Sequence, residues 1–367
     1  MNLQRVMELN AGREAALKEL IGKRIPIGTD GFVELINVMG SDEFICHRAR
    51  GTSGSEKKGP VEDRNLIRYL MRHSHTTPFE FAEVVLKVRC PMDVWRQWIR
   101  HRTANVNEYS TRYSPAIDAT ATTDADKWRK QSKTNRQGSS GNTVTEWPSD
   151  QADPPSTHLF YVGPDLERGR TVMWNKDGEY ACEMGTKPGE YLSQREQALQ
   201  AEARKVYNER LAFGVAFEQA RKDLPLSTYT EADWKCDLHN LLRFLSLRMD
   251  HHAQIEIREF ANVIGNDFIE RLFPFSWEAF NDFDMRRDAT LLTSQVKQII
   301  QAAVSHLEVH SGAYTVARLA KVAFKSAFLT KAEQFGWTEK SGERTEAIAV
   351  LSNLGLLTAE DLKDPNL

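Results

Sequence analysis

Residues Arg100 to Ser114 place three arginines, one histidine, one glutamate and four Ser/Thr hydroxyls in fifteen consecutive positions. The segment uses arginine and no lysine, the choice suited to planar, two-point contact with a phosphate or a heterocycle. A charged helix end on the surface is the competing explanation, although such a face usually mixes lysine with glutamate. Pro91 to Arg102 is predicted helical, with proline at the first position. Trp95, Trp98 and Ile99 would face a core, while Gln97, Arg100 and His101 fall on another side at i, i+3 and i+4. Asn105-Val106-Asn107-Glu108 then has the composition of a turn. A rigid helix end that delivers arginines into a polar loop is a common way of holding an anion.

A second constellation spans Asp237 to Gln254. Leu238, Leu241, Leu242, Leu245 and Met249 form a core stripe, and His239, Arg243, Ser246 and Asp250 take another face. Arg248 stands apart, with Phe244 and His252 four residues to either side. A lone arginine on such a side is ordinarily a snorkelling surface residue. Upstream, His73 and His75 lack a third ligand at zinc-like spacing, so they read as polar residues of a turn and no metal is expected. Ala82, Val84, Leu86, Val88 and Cys90 alternate on one face of a half-buried strand over Phe81 to Cys90. Ser193 to Lys222 has helical periodicity through Ala203, Tyr207, Leu211 and Val215, stopping before Pro225. Arg221 near its end suits the helix dipole.

The elements that must carry these residues fit one large or two ordinary domains in 367 residues. With 41% hydrophobic and 27% charged residues and no long apolar run, the composition is that of a soluble protein without a membrane partner. The polar start leads into no signal segment, so a cytoplasmic location is expected. A net charge of -3 gives no global pull towards nucleic acid, and none is expected as a partner. Cys46, Cys90, Cys182 and Cys236 lie far apart and read as reduced, structural thiols. Residues 1–30 form an N-terminal extension with a helical patch at Glu8 to Lys23, and Gly31 to Gly40 reads as the first strand. Arg48 to Asp63 reads as a mobile loop, followed by a helix from Asn65 to Met71. Residues 115–192 read as an insertion with small elements of its own. Its basic stretches, Trp128 to Lys133 and Asn135 to Gly141, suit a solvated loop better than a nucleic-acid contact. Residues 285–367 read as a helical C-terminal extension, covering the core or making a subunit contact. Leu292, Val296, Ile299, Ile300, Ala303 and Leu307 mark its first helix, Thr315 to Phe335 a second and Thr345 to Asn353 a third. No glycine-rich dinucleotide fingerprint or P-loop occurs, so any dinucleotide is not held in a Rossmann site.

Arg100-His101-Arg102, seven residues and then Ser110 resemble the R-H-R-x7-S signature of the flavin-dependent thymidylate synthases. Trp95-Arg96-Gln97-Trp98, Asn107-Glu108 and Arg112-Tyr113-Ser114 agree with its flanks. His73 to Glu80 resembles the family's H-x-H-x-T-P-F-E stretch, and Phe244 to Gln254 its F-L-x-L-R-x-D-x-H-A-Q pattern. Two positions depart: Asn105 where relatives usually carry Ser, and Arg243 where they often have Asn or His. The resemblance implies an α+β catalytic domain over 31–284, a sheet packed with long helices. It implies reductive methylation of dUMP to dTMP, with methylenetetrahydrofolate as carbon donor and NADPH as reductant through FAD. Thr77, Arg100, His101, Arg102, Glu108, Asp237, His239 and Arg243 would hold flavin. Gln97, Arg100, Glu108, Ser110, Thr111, Arg112 and Arg221 would hold dUMP, and Arg248 would polarise the uracil. Family members are homotetramers with sites shared between subunits, so the same is expected here. A relative acting on another pyrimidine nucleotide, or a non-enzymatic RNA-binding protein, are the rival readings. Cys90, the best-placed thiol, is expected to be buried rather than nucleophilic, and Ser110 to contact substrate rather than attack it.

Overall fold

The computed structural model describes residues 2–51, 54, 58–132, 138–147, 160–165, 170–175, 180–183, 185–283, 299–300, 302–303, 316–339, 341–354 and 356–364. Helix α1 (Leu3–Leu20) buries Val6, Ala16 and Leu20 and leads into strand β1 (Arg24–Ile27). Gly31 to Gly40 is therefore not the first strand: as β2 (Gly31–Met39) it pairs antiparallel with β1. Helix α2 (Asp42–Gly51) takes the first part of the stretch read as a loop, and α3 begins at Pro60 and runs to Arg72. Proline at the first helical position and Glu62 and Asp63 in the first turn explain that earlier start. A 3₁₀ turn, Thr77–Phe81, precedes β3 (Glu83–Pro91), whose alternation buries Val84, Leu86, Val88 and Cys90 as its sequence requires.

Helix α4 is shorter than its apolar pattern suggests, Met92–Trp98, with Pro91 as the residue before it. Trp98, fully buried, fixes its end: the His101 N–H turns back to the Trp98 carbonyl at 3.0 Å and the chain leaves for the surface. The stretch read as a turn is strand β4 (Asn105–Glu108), exposed at every residue. Its composition disfavours a strand, and pairing with another strand overrides this preference.

Strands β5 (Arg129–Gln131) and β6 (Ser139–Thr143) form a hairpin, and β7 (Phe160–Asp165), β8 (Arg170–Asn175) and β9 (Tyr180–Glu183) a separate small sheet. The long helical pattern downstream is two helices, α5 (Pro188–Ala212) and α6 (Phe217–Ala220), with a 3₁₀ turn at Arg221–Asp223. Gly214, at φ +78°, breaks it in the left-handed region open to glycine. Strand β10 (Tyr229–Asp237) completes an antiparallel five-stranded sheet in the order β1-β2-β3-β10-β4. The chain thus has the expected α+β organisation.

Helix α7 (Leu238–Arg248) follows β10 directly, then α8 (Ile255–Val263), a π-helical segment Ile264–Ile269, α9 (Glu270–Leu272) and α10 (Pro274–Phe283). Trp98, Trp234, Phe244 and Phe260 meet in the main core, with Trp98 4.7 Å from Phe244 and 5.5 Å edge-on to Trp234 between ring centres. Aromatic pairs at these separations add to what burial alone supplies. Helices α11 (Val316–Phe335), α12 (Gly342–Asn353) and α13 (Ala359–Lys363) form a second core with Ile299 and Ala303. Leu292, Val296 and Leu307, expected on the helix that contains those two residues, lie outside the described residues, as does Thr315. Among the described residues no helix is long and apolar enough to cross a membrane.

Candidate active site

The aromatic core places the Arg-His-Arg run. Because Trp98 is locked inside, Arg100 and Arg102 emerge exposed, while His101 stays half-buried, edge-on to Phe244 at 4.9 Å. Helix α7 begins at the same end of the sheet with Asp237 as its cap, which accepts from the Asn240 N–H at 2.9 Å and from its side-chain amide at 2.9 Å. One helix length later Arg248 returns to His101: its Nε donates to His101 Nε2 at 3.1 Å, and its Nη2 to the Gln97 carbonyl at 3.3 Å. Since a guanidinium can only donate, His101 Nε2 must accept, and its ring proton sits on Nδ1. Burial, then the nearby Arg248 and Arg243 charges, lower the His101 pKa to about 4. The ring is accordingly neutral at physiological pH. A ¹⁵N NMR titration is expected to find the Nδ1-protonated neutral tautomer down to about pH 4, below which Nε2 takes a proton and the hydrogen bond from Arg248 breaks. A midpoint near the ordinary histidine value of about 6.5 would contradict this geometry.

A second group of candidates forms where β4 leaves the sheet. Glu108 Oε1 accepts from the Thr230 hydroxyl at 2.8 Å, and the Tyr109 N–H reaches the Glu231 carbonyl at 2.8 Å. The next turn closes on Ser110, whose carbonyl accepts from the Tyr113 and Ser114 N–H groups and whose Oγ accepts from the Arg112 N–H. Arg221 Nη1 donates to Thr111 Oγ1, and Arg112 pairs with Glu218 at 2.9 Å. Ser110, Thr111, Arg112 and Arg221 are thereby brought together across about a hundred residues of sequence. Gln97 belongs to the other group, donating to Gln254 Oε1 at 2.6 Å. Among the described residues no hydrogen bond joins the two groups. Thr77 opens its 3₁₀ turn exposed, and His239 and exposed Arg243 lie on α7. Arg100, Arg102 and Arg243 meet no carboxylate among the described residues, so three guanidiniums face solvent with their donors free for an anion.

Residues 34–274 match the protein family described as thymidylate synthase complementing protein. The chain belongs to the flavin-dependent thymidylate synthase family. The flavin-dependent thymidylate synthase of Ehrlichia ruminantium (strain Gardel) is 37% identical over 267 residues, covering 73% of this chain and 76% of that protein. That of Dictyostelium discoideum is 40% identical over 243 residues, covering 66% of each. In three dimensions the chain is similar to the UMP/dUMP methylase PolB from Streptomyces cacaoi bound with 5-Br dUMP. The TM-score is 0.51 at 28% identity, with 70% of this chain and 97% of that one covered.

For this flavin-dependent thymidylate synthase family member, the thiols and the basic stretch have definite places. Cys90 is 1% exposed, and burial, with Asp93 and Glu108 nearby, pushes its pKa well up. It is a poor nucleophile, as expected. The Trp128 to Lys133 stretch is answered internally in part: Arg129 Nη2 pairs with Glu256 at 2.8 Å and Trp128 Nε1 donates to Ser193 at 2.9 Å, while Lys133 lies outside the described residues. Residues 135–137 of the second basic stretch also lie outside them. His73 and His75 complete no three-ligand group with neighbouring side chains among the described residues, whereas exposed His251 and His252 cluster with Asp250. Asp93 and Gln254 were missed from sequence. With the turn at Ile27–Thr29 and the segment Ala121–Arg129 they line a cavity of about 640 Å³ beside α4. The H-A-Q ending of the second motif was the available signal for Gln254.

Proposed function

We propose that this chain methylates dUMP reductively to dTMP, with methylenetetrahydrofolate as carbon donor, NADPH as reductant and FAD as bound cofactor. The carrying observation is Arg248, held on neutral His101 and the Gln97 backbone beside three unpaired guanidiniums. The donor set suits FAD: Arg100, Arg102 and Arg243 answer a pyrophosphate charge, and Thr77, His101, Glu108, Asp237 and His239 offer polar contacts around them. When bound, FAD supplies the hydride chemistry. Gln97, Arg100, Glu108, Ser110, Thr111, Arg112 and Arg221 hold and orient dUMP. The Arg112–Glu218 pair is solvent-exposed and worth at most about 1 kcal/mol. A nucleotide phosphate, with two charges and several acceptor oxygens that a guanidinium can contact two at a time, competes with Glu218 for Arg112. Arg248 stabilises the negative charge that grows on the uracil ring as the reacting carbon gains electron density.

Within one described chain no hydrogen bond joins the cluster around Gln97, His101 and Arg248 to the cluster around Ser110, Thr111, Arg112 and Arg221. The proposed nucleotide residues are split between the two, which favours a homotetramer in which subunits complete each other's sites. Val106, Tyr109 and Tyr113, exposed around the signature, suit a subunit contact. Four free, buried cysteines fit a reducing cytoplasm. A second reading, UMP alongside dUMP, is favoured by the similarity to PolB and by the Asn105 and Arg243 departures.

Purified protein is expected to be yellow, to release FAD on denaturation and to oxidise NADPH only with dUMP present. Arg102→Gln should raise the FAD dissociation constant about ten- to a hundredfold, the scale of losing one hydrogen bond from a charged donor. Colourless protein that fails to take up added FAD would remove the flavin assignment. Turnover of UMP equal to that of dUMP would establish the second reading.

A further inference from the structure

Helix α12, in the C-terminal extension and outside the residues that match the family, lies against the last two turns of α3. Arg68 of α3, 1% exposed, donates to Glu343 at 2.6 and 2.9 Å and to Asp282 at 2.7 Å. One turn on, Arg72 Nε lies 3.0 Å from Glu346 Oε2 and Nη1 3.7 Å from Glu343 Oε1. His73, the cap of α3, has Nε2 4.0 Å from Glu346 and its ring 4.5 Å from Tyr69. The helix end held in this way runs straight into the proposed flavin turn. Ser74 adopts φ +57°, the one non-glycine among the described residues in the left-handed region. Such a conformation persists only where its surroundings hold it. Here it is closed by Ser74 N–H to the Met71 carbonyl at 3.1 Å and His75 N–H to Leu70 at 2.8 Å. Three residues later Thr77 opens the 3₁₀ turn that buries Phe79 and packs on α7.

We propose that Glu343 and Glu346 are positioning residues for the cofactor, acting through Arg68, Arg72 and His73 to fix the end of α3 and with it Thr77. The inference rests on the flavin reading above. Small displacements of a binding group are costly because the site depends on preorganised geometry. Glu346 is the informative half of the pair. Its side chain is 48% exposed, so its ion pair contributes little to global stability while it sits where α3 turns towards the site.

The test uses the full chain, stripped of flavin, titrated with FAD by fluorescence, alongside thermal melts and hydrogen exchange. Parent protein must bind FAD first, and its failure to do so removes the flavin reading and this inference with it. Glu346→Gln is expected to raise the FAD dissociation constant about fivefold with an unchanged Tm, the upper range for one exposed pair. Glu343→Gln/Glu346→Gln should raise it about tenfold or more, and Glu346→Asp should retain part of the parent affinity. In Glu346→Gln, faster exchange should be confined to the amides of residues 73–81. FAD affinity within twofold of the parent in the double variant would overturn the proposal. So would, in Glu346→Gln, an affinity loss that tracks Tm, with exchange rising across the whole chain. If the double variant fails to fold, Glu346→Gln alone decides, and an affinity within twofold of the parent counts against the inference.

Discussion

Arg248→Ala is expected to lower the rate of dTMP formation by about a hundredfold or more while flavin stays bound, the scale for losing one preorganised donor. The arginine needs little rearrangement in order to act. Its Nε is held at 3.1 Å by His101 and its Nη2 at 3.3 Å by the Gln97 carbonyl, and Nη1 has no partner among the described residues. Burial lowers its pKa, yet a guanidinium keeps its charge at neutral pH. A fixed cation in a partly water-excluded place stabilises developing negative charge more than a mobile one in water. Arg248→Lys keeps a charge but loses the planar fork, so it should fall between parent and Arg248→Ala. Single-turnover dTMP formation, with FAD content read from the visible spectrum, separates chemistry from cofactor loss. A second readout is the His101 ring. Burial still holds its pKa down in Arg248→Ala, but one of the two neighbouring cations is gone, so the midpoint should rise above about 4. Near-normal turnover with flavin bound and an unmoved His101 midpoint would mean that Arg248 does not polarise the substrate.

What could be read in the sequence was local and periodic. The alternation of Val84, Leu86, Val88 and Cys90 and the Leu238-to-Leu245 stripe appear in the structure as buried faces because each depends only on its own element. The arginine segment was legible as chemistry for a similar reason, since residue types alone distinguish a guanidinium cluster from a solvated face. Its geometry was not. Asn105 to Glu108 is a strand because β10 supplies the pairing, with Trp234 opposite Val106, and no local composition announces a partner over a hundred residues away. Ser193 to Lys222 holds a continuous stripe in sequence, yet Gly214 turns the chain so that Arg221 can reach Thr111. The Arg129–Glu256 and Arg112–Glu218 pairs were equally hidden, because charge neutralisation by a distant carboxylate leaves no trace in spacing.

Arg68→Ala is expected to destabilise the chain by about 3–5 kcal/mol, the cost of stripping one partner from a buried ion network. In a thermal melt followed by circular dichroism this is a fall in Tm on the order of 10 °C. Arg68 ties α3 to two other elements, through Glu278 and Asp282 on α10 and Glu343 on α12, at 3.4, 2.7 and 2.6 Å. Burial would lower its pKa, and the charges of Glu343, Asp282 and Glu278 outweigh that and raise it. Its guanidinium also lies 4.9 Å from the Phe283 ring, so Arg68→Ala removes packing as well as charge. The sign of the pH dependence follows from the carboxylates left behind. Burial already holds Asp282 above the ordinary carboxylate range, with Arg68 as the main counterweight. Without that counterweight its folded pKa rises further above its unfolded value of about 4, and the folded state binds more protons than the unfolded one between the two. Stability of the variant therefore increases as pH falls through that window, and its deficit against the parent is largest at neutral pH. Arg68→Lys restores the charge but not the fork that serves Glu343 and Asp282 together, so it should recover only part of the loss. A deficit below about 1 kcal/mol, the range of an ordinary surface pair, would show that α12 is held by apolar contacts instead. A large deficit that does not narrow between pH 7 and about pH 5 would assign the loss to packing against Phe283 rather than to unpaired charge.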